Sequence, residues 1–204
     1  MQEVNQRVDV ELLHPAGRRK EERVSIAPST FDSTESKETF IKEALREFSP
    51  FLIKSVLDRI AGKDDAVTDV KTYLDLLIQI TSNLTFEDPD YSKVAARFLM
   101  EKIQLEAESE GIFTFTDSFL KTHSYRLTSS KVLQFVLQNA QILNDAIDFD
   151  RSKQYEFFGL RTVYDRYLLK HPQKRTVLET PQYFYMRVAC GLSESVEEAI
   201  SLYR

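Results

Sequence analysis

The stretch DPDYSKVAARFLMEKIQLEAESEG, residues 88–111, decides the fold class. Asp88 supplies an N-cap, and Pro89 suits a first helical position because its φ is pre-set and its missing N–H is not needed there. Val94, Phe98, Ile103 and Leu105 give the run an apolar side, and Gly111 ends it. A long helix with its own start and stop predicts a mainly α protein.

The same signals recur on both sides. Upstream, SPFLIKSVLDRIAG (49–62) has Ser49 as N-cap, Pro50 in the first turn and Gly62 as its stop. KETFIKEALREF (37–48) spaces Phe40, Ile41, Ala44, Leu45 and Phe48 as a helix does, with a cap near Ser36. DVKTYLDLLIQITSNL (69–84) places Val70, Tyr73, Leu74, Leu77 and Ile80 on one face. Downstream, TSSKVLQFVLQNAQILNDAI (128–147) is amphipathic with a break near Asn139, and GLRTVYDRYLL (159–169) is short and rich in large side chains. ETPQYFYMRVACGL (179–192) has Thr180 as N-cap, Pro181 as first residue and Gly191 as stop. It is apolar nearly all round, which predicts a buried helix. The final helix begins at Ser195, where Ser-Val-Glu-Glu has the form of a capping box closed by Glu198.

The N-terminus differs. Val8, Val10 and Leu12 alternate with polar residues, HPAG (14–17) supplies a turn, and residues 23–26 alternate again, so a β-hairpin is expected. The Ser/Thr-rich stretch APSTFDSTESKE (27–38) reads as a loop. The expected architecture is an N-terminal hairpin with helices, cone-like, over residues 1–85, followed by an all-helical bundle over 86–204.

A net charge of −5 from 27 basic and 32 acidic residues disfavours nucleic-acid binding. No apolar run is long enough to cross a membrane, and neither a leader pattern nor a second cysteine points to secretion, so a cytoplasmic protein is expected. Cys190 sits at the C-terminal end of its helix, where the dipole opposes a thiolate; Arg187 lies one turn back, but a packed cysteine is the favoured reading. His14, His123 and His171 are scattered at no metal-ligand spacing, and the prolines beside His14 and His171 suit exposed loops. No nucleophile-elbow, Walker or dinucleotide-binding motif occurs. The acidic pairs at 64–65 and in DFDR (148–151) read as loop and cap residues. In GRRKEER (17–23), Arg18, Arg19 and Lys20 could hold a nucleotide phosphate; Glu21 and Glu22 offset them, and a solvated hairpin end competes with that reading.

Three segments together resemble the N-terminal part of the ribonucleotide reductase large (α) subunit: DPDYSKVAARFLMEKI (88–103), NDAIDFDRSKQYEFFGLRTVYDRYLL (144–169) and ETPQYFYMRVACGL (179–192). They stand in family order and at about family spacing, and the likeness covers residues 68–204. Gly17 with RRKEERV resembles the second half of the family's ATP-cone hairpin, while Leu13, His14, Pro15 and Ala16 stand where a Lys-Arg-Asp is usual.

The resemblance implies a part in deoxyribonucleotide synthesis by a ribonucleoside-diphosphate reductase. It implies allosteric ATP or dATP at the cone, with phosphate contacts from Arg18, Arg19 and Lys20. It also implies a barrel-bearing remainder of the subunit, a radical-generating β subunit and an α dimer as partners. The radical cysteine, the redox cysteine pair and the barrel are expected beyond Arg204, so no catalytic or metal-binding residue is assigned and the chain by itself is expected to be inactive. A non-catalytic nucleotide- or protein-binding regulatory module derived from the reductase is the alternative.

Overall fold

The computed structural model describes residues 25–28, 30–31, 33–63 and 66–204. The expected hairpin lies outside these residues apart from Ser25 and Ile26, as do Arg18, Arg19, Lys20, Asp64 and Asp65. Ten α-helices are described: α1 Thr34–Ala44, α2 Pro50–Ile60, α3 Val70–Asn83, α4 Asp90–Ser109, α5 Phe115–Ser124, α6 Ser130–Gln138, α7 Ala140–Asp145, α8 Phe157–Thr162, α9 Pro181–Leu192 and α10 Val196–Tyr203. Extended pairing among the described residues is limited to two isolated bridges, Thr30 with Asp69 and Lys170 with Val177.

Local chemistry sets the helix ends. The hydroxyls of Ser49, Thr114, Ser129 and Thr180 each accept a backbone N–H from the first turn of the helix that follows, as does the Asp69 carboxylate. Each such cap contributes about 1 kcal/mol relative to alanine. Gly62 and Gly111 follow α2 and α4 with φ of +75° and +76°, the left-handed conformation that a helix stop needs. α6 and α7 meet at Asn139, where the expected break falls.

Some ends fall elsewhere than expected. α1 is capped by Ser33, and Ser36 is its third residue, returning a bond to Ser33 N–H in a capping box. Pro89 is the cap of α4 rather than its first residue, yet the Asp88 carboxylate still accepts the Asp90 N–H at 2.9 Å. α9 runs through Gly191 to Leu192, because Ser193 and not the glycine leaves the helix. At α10 the Ser195 hydroxyl accepts Glu198 N–H, whereas Glu198 reaches back to Glu194 N–H, one residue before the box position. In α3 the buried face takes Ile78 and Thr81 in addition to Val70, Tyr73, Leu74 and Leu77, and leaves Ile80 half-buried. After α8 the chain widens into a single π turn, Val163–Tyr167.

The side chains pack into two hydrophobic clusters joined by α4. The first gathers α1, α2, α3 and the first two-thirds of α4 with Phe157, Leu160 and Val177. Its centre holds the edge-to-face pair Phe31–Tyr73, ring centroids 4.8 Å apart, and Phe98. The second gathers Ala107 at the end of α4 with α5, α6, α7, α9 and α10, around Phe115, Phe119, Tyr183 and Met186. Each large apolar side chain fully buried in this way contributes about 1.5–3 kcal/mol. α4 is thus buried on nearly every side, which the single apolar stripe in its sequence understates.

Candidate functional site

Three carboxylates from the second half of the chain are buried and point at one segment, residues 168–180, which leads into α9. Glu106 accepts the Tyr164 hydroxyl at 3.0 Å and Val177 N–H at 3.0 Å. Glu110 accepts the Thr176 hydroxyl at 2.9 Å and the Lys174 ammonium at 3.1 Å, with Lys121 at 3.8 Å. Burial works to raise the Glu110 pKa, but these hydrogen bonds and the two lysine charges outweigh it and hold the carboxyl below its usual range. Glu179 accepts Leu169 N–H and a two-pronged pair of bonds from the Arg187 guanidinium at 2.7 and 2.9 Å. A buried charge is tolerated only when its oxygens are satisfied: Glu110 and Glu179 are paired with cations and hydrogen-bonded, and Glu106 is held by hydrogen bonds alone.

His171 belongs to the same assembly, and its placement corrects the expectation of an exposed loop histidine. It is buried against Tyr125, ring centroids 4.7 Å apart. Its Nδ1 accepts the backbone N–H groups of Gln173 and Lys174 at 3.1 and 3.2 Å, so the ring pins the turn. His123 holds the Thr128 carbonyl through Nδ1 at 3.0 Å. Among the described residues no cluster of His, Cys, Asp or Glu is arranged to hold a metal.

α9 and α10 are joined by a second polar network. The Tyr203 hydroxyl donates to Gln182 at 2.8 Å and accepts Asp148 N–H at 2.9 Å, while the Gln182 amide donates to Ser152. Arg151 lies over the Tyr203 ring at 5.3 Å and donates to the Tyr203 and Arg204 carbonyls, capping the negative end of α10. Asp148 caps the 3₁₀ turn Phe149–Gln154 through Asp150 N–H, as its place in DFDR suggests.

α9 is buried along one side only, through Tyr183, Met186, Ala189 and Cys190. The expectation of burial all round therefore holds for half of the helix. Tyr185 and Val188 are each 39% exposed and Leu192 71%, one stripe at helical spacing, and Leu202 of α10 at 56% lies beside Tyr185. The Tyr155 hydroxyl donates to that of Tyr185 at 2.8 Å at the edge of the stripe. Cys190 sits in the second cluster, and burial pushes its thiol up to about 12, so it is packed and inert at neutral pH. Arg187, one turn before it, is committed to Glu179.

A cleft of about 960 Å³ opens between the two clusters, lined by the end of α1, by Arg97 and Glu101 of α4, and by residues 145–151. Its charges pair with one another: Arg97 with Glu47 at 2.9 Å, Lys153 with Glu47 at 2.6 Å and with Asp150 at 3.0 Å. These pairs tie the turn after α1, α4 and the turn at 149–154 together around the cleft. Of the acids that hold residues 168–180, Glu106 and Glu110 stand in the sequence one turn apart on a largely apolar helix, with nothing to single them out.

The family model for the all-alpha domain of ribonucleotide reductase matches residues 153–204, which contain α8, α9 and α10. The chain is 35% identical over 152 residues to a ribonucleoside-diphosphate reductase large subunit of Danio rerio, covering 71% of this chain and 18% of that protein. It is 32% identical over 155 residues to a large chain from Schizosaccharomyces pombe, covering 71% of this chain and 18% of that one. A Monkeypox virus large subunit is 31% identical over 159 residues, covering 74% of this chain and 20% of its own length. The chain thus spans about a fifth of the length of the curated relatives it matches. Over most of its length it is homologous to the N-terminal, all-helical region of the ribonucleoside-diphosphate reductase large subunit.

Proposed function

We propose that this chain is the helical supporting part of a ribonucleoside-diphosphate reductase, and that it acts in deoxyribonucleotide synthesis by docking on the catalytic barrel rather than by chemistry of its own. One observation carries the reading. The stripe of Tyr185, Val188, Leu192 and Leu202 is apolar and open, and it lies inside the segment that matches the reductase family. Contiguous exposed apolar surface of this kind marks a contact with another polypeptide surface. Behind it, the Glu179–Arg187 pair and the Tyr203–Gln182 network hold α9 and α10 in fixed register, so the stripe is presented rigidly.

In this reading the barrel sits in the remainder of the α subunit, on the same or a separate chain, and the assembled α subunit works as a dimer with a radical-generating β subunit in the cytoplasm. Residues 1–85 form the cone-like part, where Arg18, Arg19 and Lys20 contact the phosphates of allosteric ATP or dATP. No described helix is long and apolar enough to cross a membrane.

The test is reconstitution. The chain is mixed with a polypeptide carrying the rest of a reductase large subunit and with its radical subunit, and nucleoside diphosphate reduction is measured with a dithiol reductant. Activity that depends on the chain, and that falls when Val188→Asp and Leu192→Asp are introduced, is the expected result. A chain that neither binds the remainder nor restores reduction would overturn the reading.

A further inference from the structure

Two turns far apart in sequence meet beside the second hydrophobic cluster. One closes α5, whose last turn carries Lys121, and itself carries Arg126; the other spans residues 170–176 and carries Lys174 and Arg175. Tyr125 packed against His171 joins them, and Lys121 and Lys174 converge on the same buried carboxylate, Glu110. Arg126 and Arg175 are the two non-glycine residues with positive φ among those described, +60° and +65°. Arg126 takes the left-handed conformation that stops α5, with Leu127 N–H returning to the Thr122 carbonyl at 3.1 Å. Arg175 closes its turn onto the His171 carbonyl at 3.0 Å, so both guanidinium side chains leave from fixed turn positions. Lys170 stands behind Arg175 with its ammonium 4.2 Å from the Tyr164 ring centroid.

Of these five cations, Lys121 and Lys174 pair with the buried Glu110, Lys170 feels the charges of Asp165 and Glu106, and Arg126 and Arg175 form no ion pair with another described residue. The two turns therefore carry an excess of positive charge on a chain whose net charge is −5. We propose that this two-turn surface is a docking site for an acidic polypeptide segment, its carboxylates meeting Arg126, Lys174 and Arg175 and its apolar residues meeting the exposed Leu127. An extended phosphate backbone fits less well. Tyr125 is half-buried between His171 and the second hydrophobic cluster, and the negative charge of the rest of the chain repels a long polyanion. The site is separate from the α9–α10 stripe and does not depend on the reductase reading.

The experiment uses the full chain and a fluorescein-labelled oligoglutamate. Binding is followed by fluorescence anisotropy at rising salt, and the amide signals that move on binding are mapped by NMR. Expected are salt-sensitive binding, shifts confined to residues 121–127 and 170–176, and affinity weakened at least about threefold by Arg126→Asn with Arg175→Asn. Asparagine removes the charge while tolerating the left-handed backbone. The exposed pair Lys54→Gln with Lys71→Gln, on α2 and α3, serves as a charge-matched control and should leave affinity within about twofold. Absence of binding, shifts elsewhere on the surface, or equal weakening by the control would overturn the site. Tighter binding of an oligothymidylate at the same amides would overturn the partner class. If the asparagine variant fails to fold, the amide map on the unaltered chain decides.

Discussion

Replacing Arg187 with methionine should cost more stability than replacing Glu179 with glutamine, although the two residues form one ion pair. The asymmetry comes from burial. The Glu179 side chain is 1% exposed and that of Arg187 21%. Arg187→Met leaves a carboxylate in the interior with only Leu169 N–H to satisfy it, and stranding one member of a buried pair costs about 3–5 kcal/mol. Glu179→Gln leaves a guanidinium that water can reach, and glutamine can still accept from Leu169. The loss is then that of charge-assisted hydrogen bonds, about 1.5–3 kcal/mol. For a chain of this length each kcal/mol lowers Tm by about 2–4 °C. Urea unfolding at neutral pH, followed by circular dichroism, measures both variants and the double variant. The double variant removes both charges and should be less destabilised than the sum of the two, by more than the ~0.5 kcal/mol that independent sites allow. The reasoning is refuted if Arg187→Met is the milder change, or if the two effects add.

The turn at residues 170–176 offers a second test: His171→Asn keeps a side-chain acceptor near Gln173 and Lys174 N–H, whereas His171→Ala leaves two donors unmet and should be less stable by about 1–3 kcal/mol in the same assay. Acid sensitivity should trace in part to Glu110. Its folded pKa is depressed, so its contribution is fully present above the unfolded carboxyl pKa and is lost as pH falls through the folded value; Glu110→Gln should flatten the decline of stability on the acid side, and an unchanged pH profile would contradict this. For Cys190, with its thiol pushed up to about 12, alkylation by iodoacetamide near pH 8 should be negligible in the native chain and rapid in denaturant. Prompt native labelling would show that the thiol is not packed as described.

Most helix positions were legible in the sequence, and the reason is locality. Ser49 and Thr180 bond a backbone N–H three residues on, so their effect requires no distant partner. Asp69 and Ser129 make the same bond without having been read as caps, and α5 was not anticipated. Small shifts occurred where two residues could serve, as with Ser33 and Ser36, or where a glycine in the last turn, Gly191, adopted helical geometry. The reductase likeness was legible too, because its segments combine features that keep their order along the chain.

What only the tertiary structure decided is the fate of the polar and half-apolar residues. Glu106 is satisfied by Tyr164 and Val177, 58 and 71 positions away, and Glu110 by Lys174 and Thr176, 64 and 66 away. A local pattern holds no record of such partners, so nothing singled out Glu106 and Glu110, and His171 read as an exposed turn residue. The same holds for α9. Its sequence is apolar on most sides, but only the packing of α5, α6 and α10 determines that Met186 and Cys190 face the core while Val188 and Leu192 face outward. Helix formation is a local free-energy balance that the sequence by itself determined. Which charges are buried and which apolar faces stay open depends on what the folded chain places beside them.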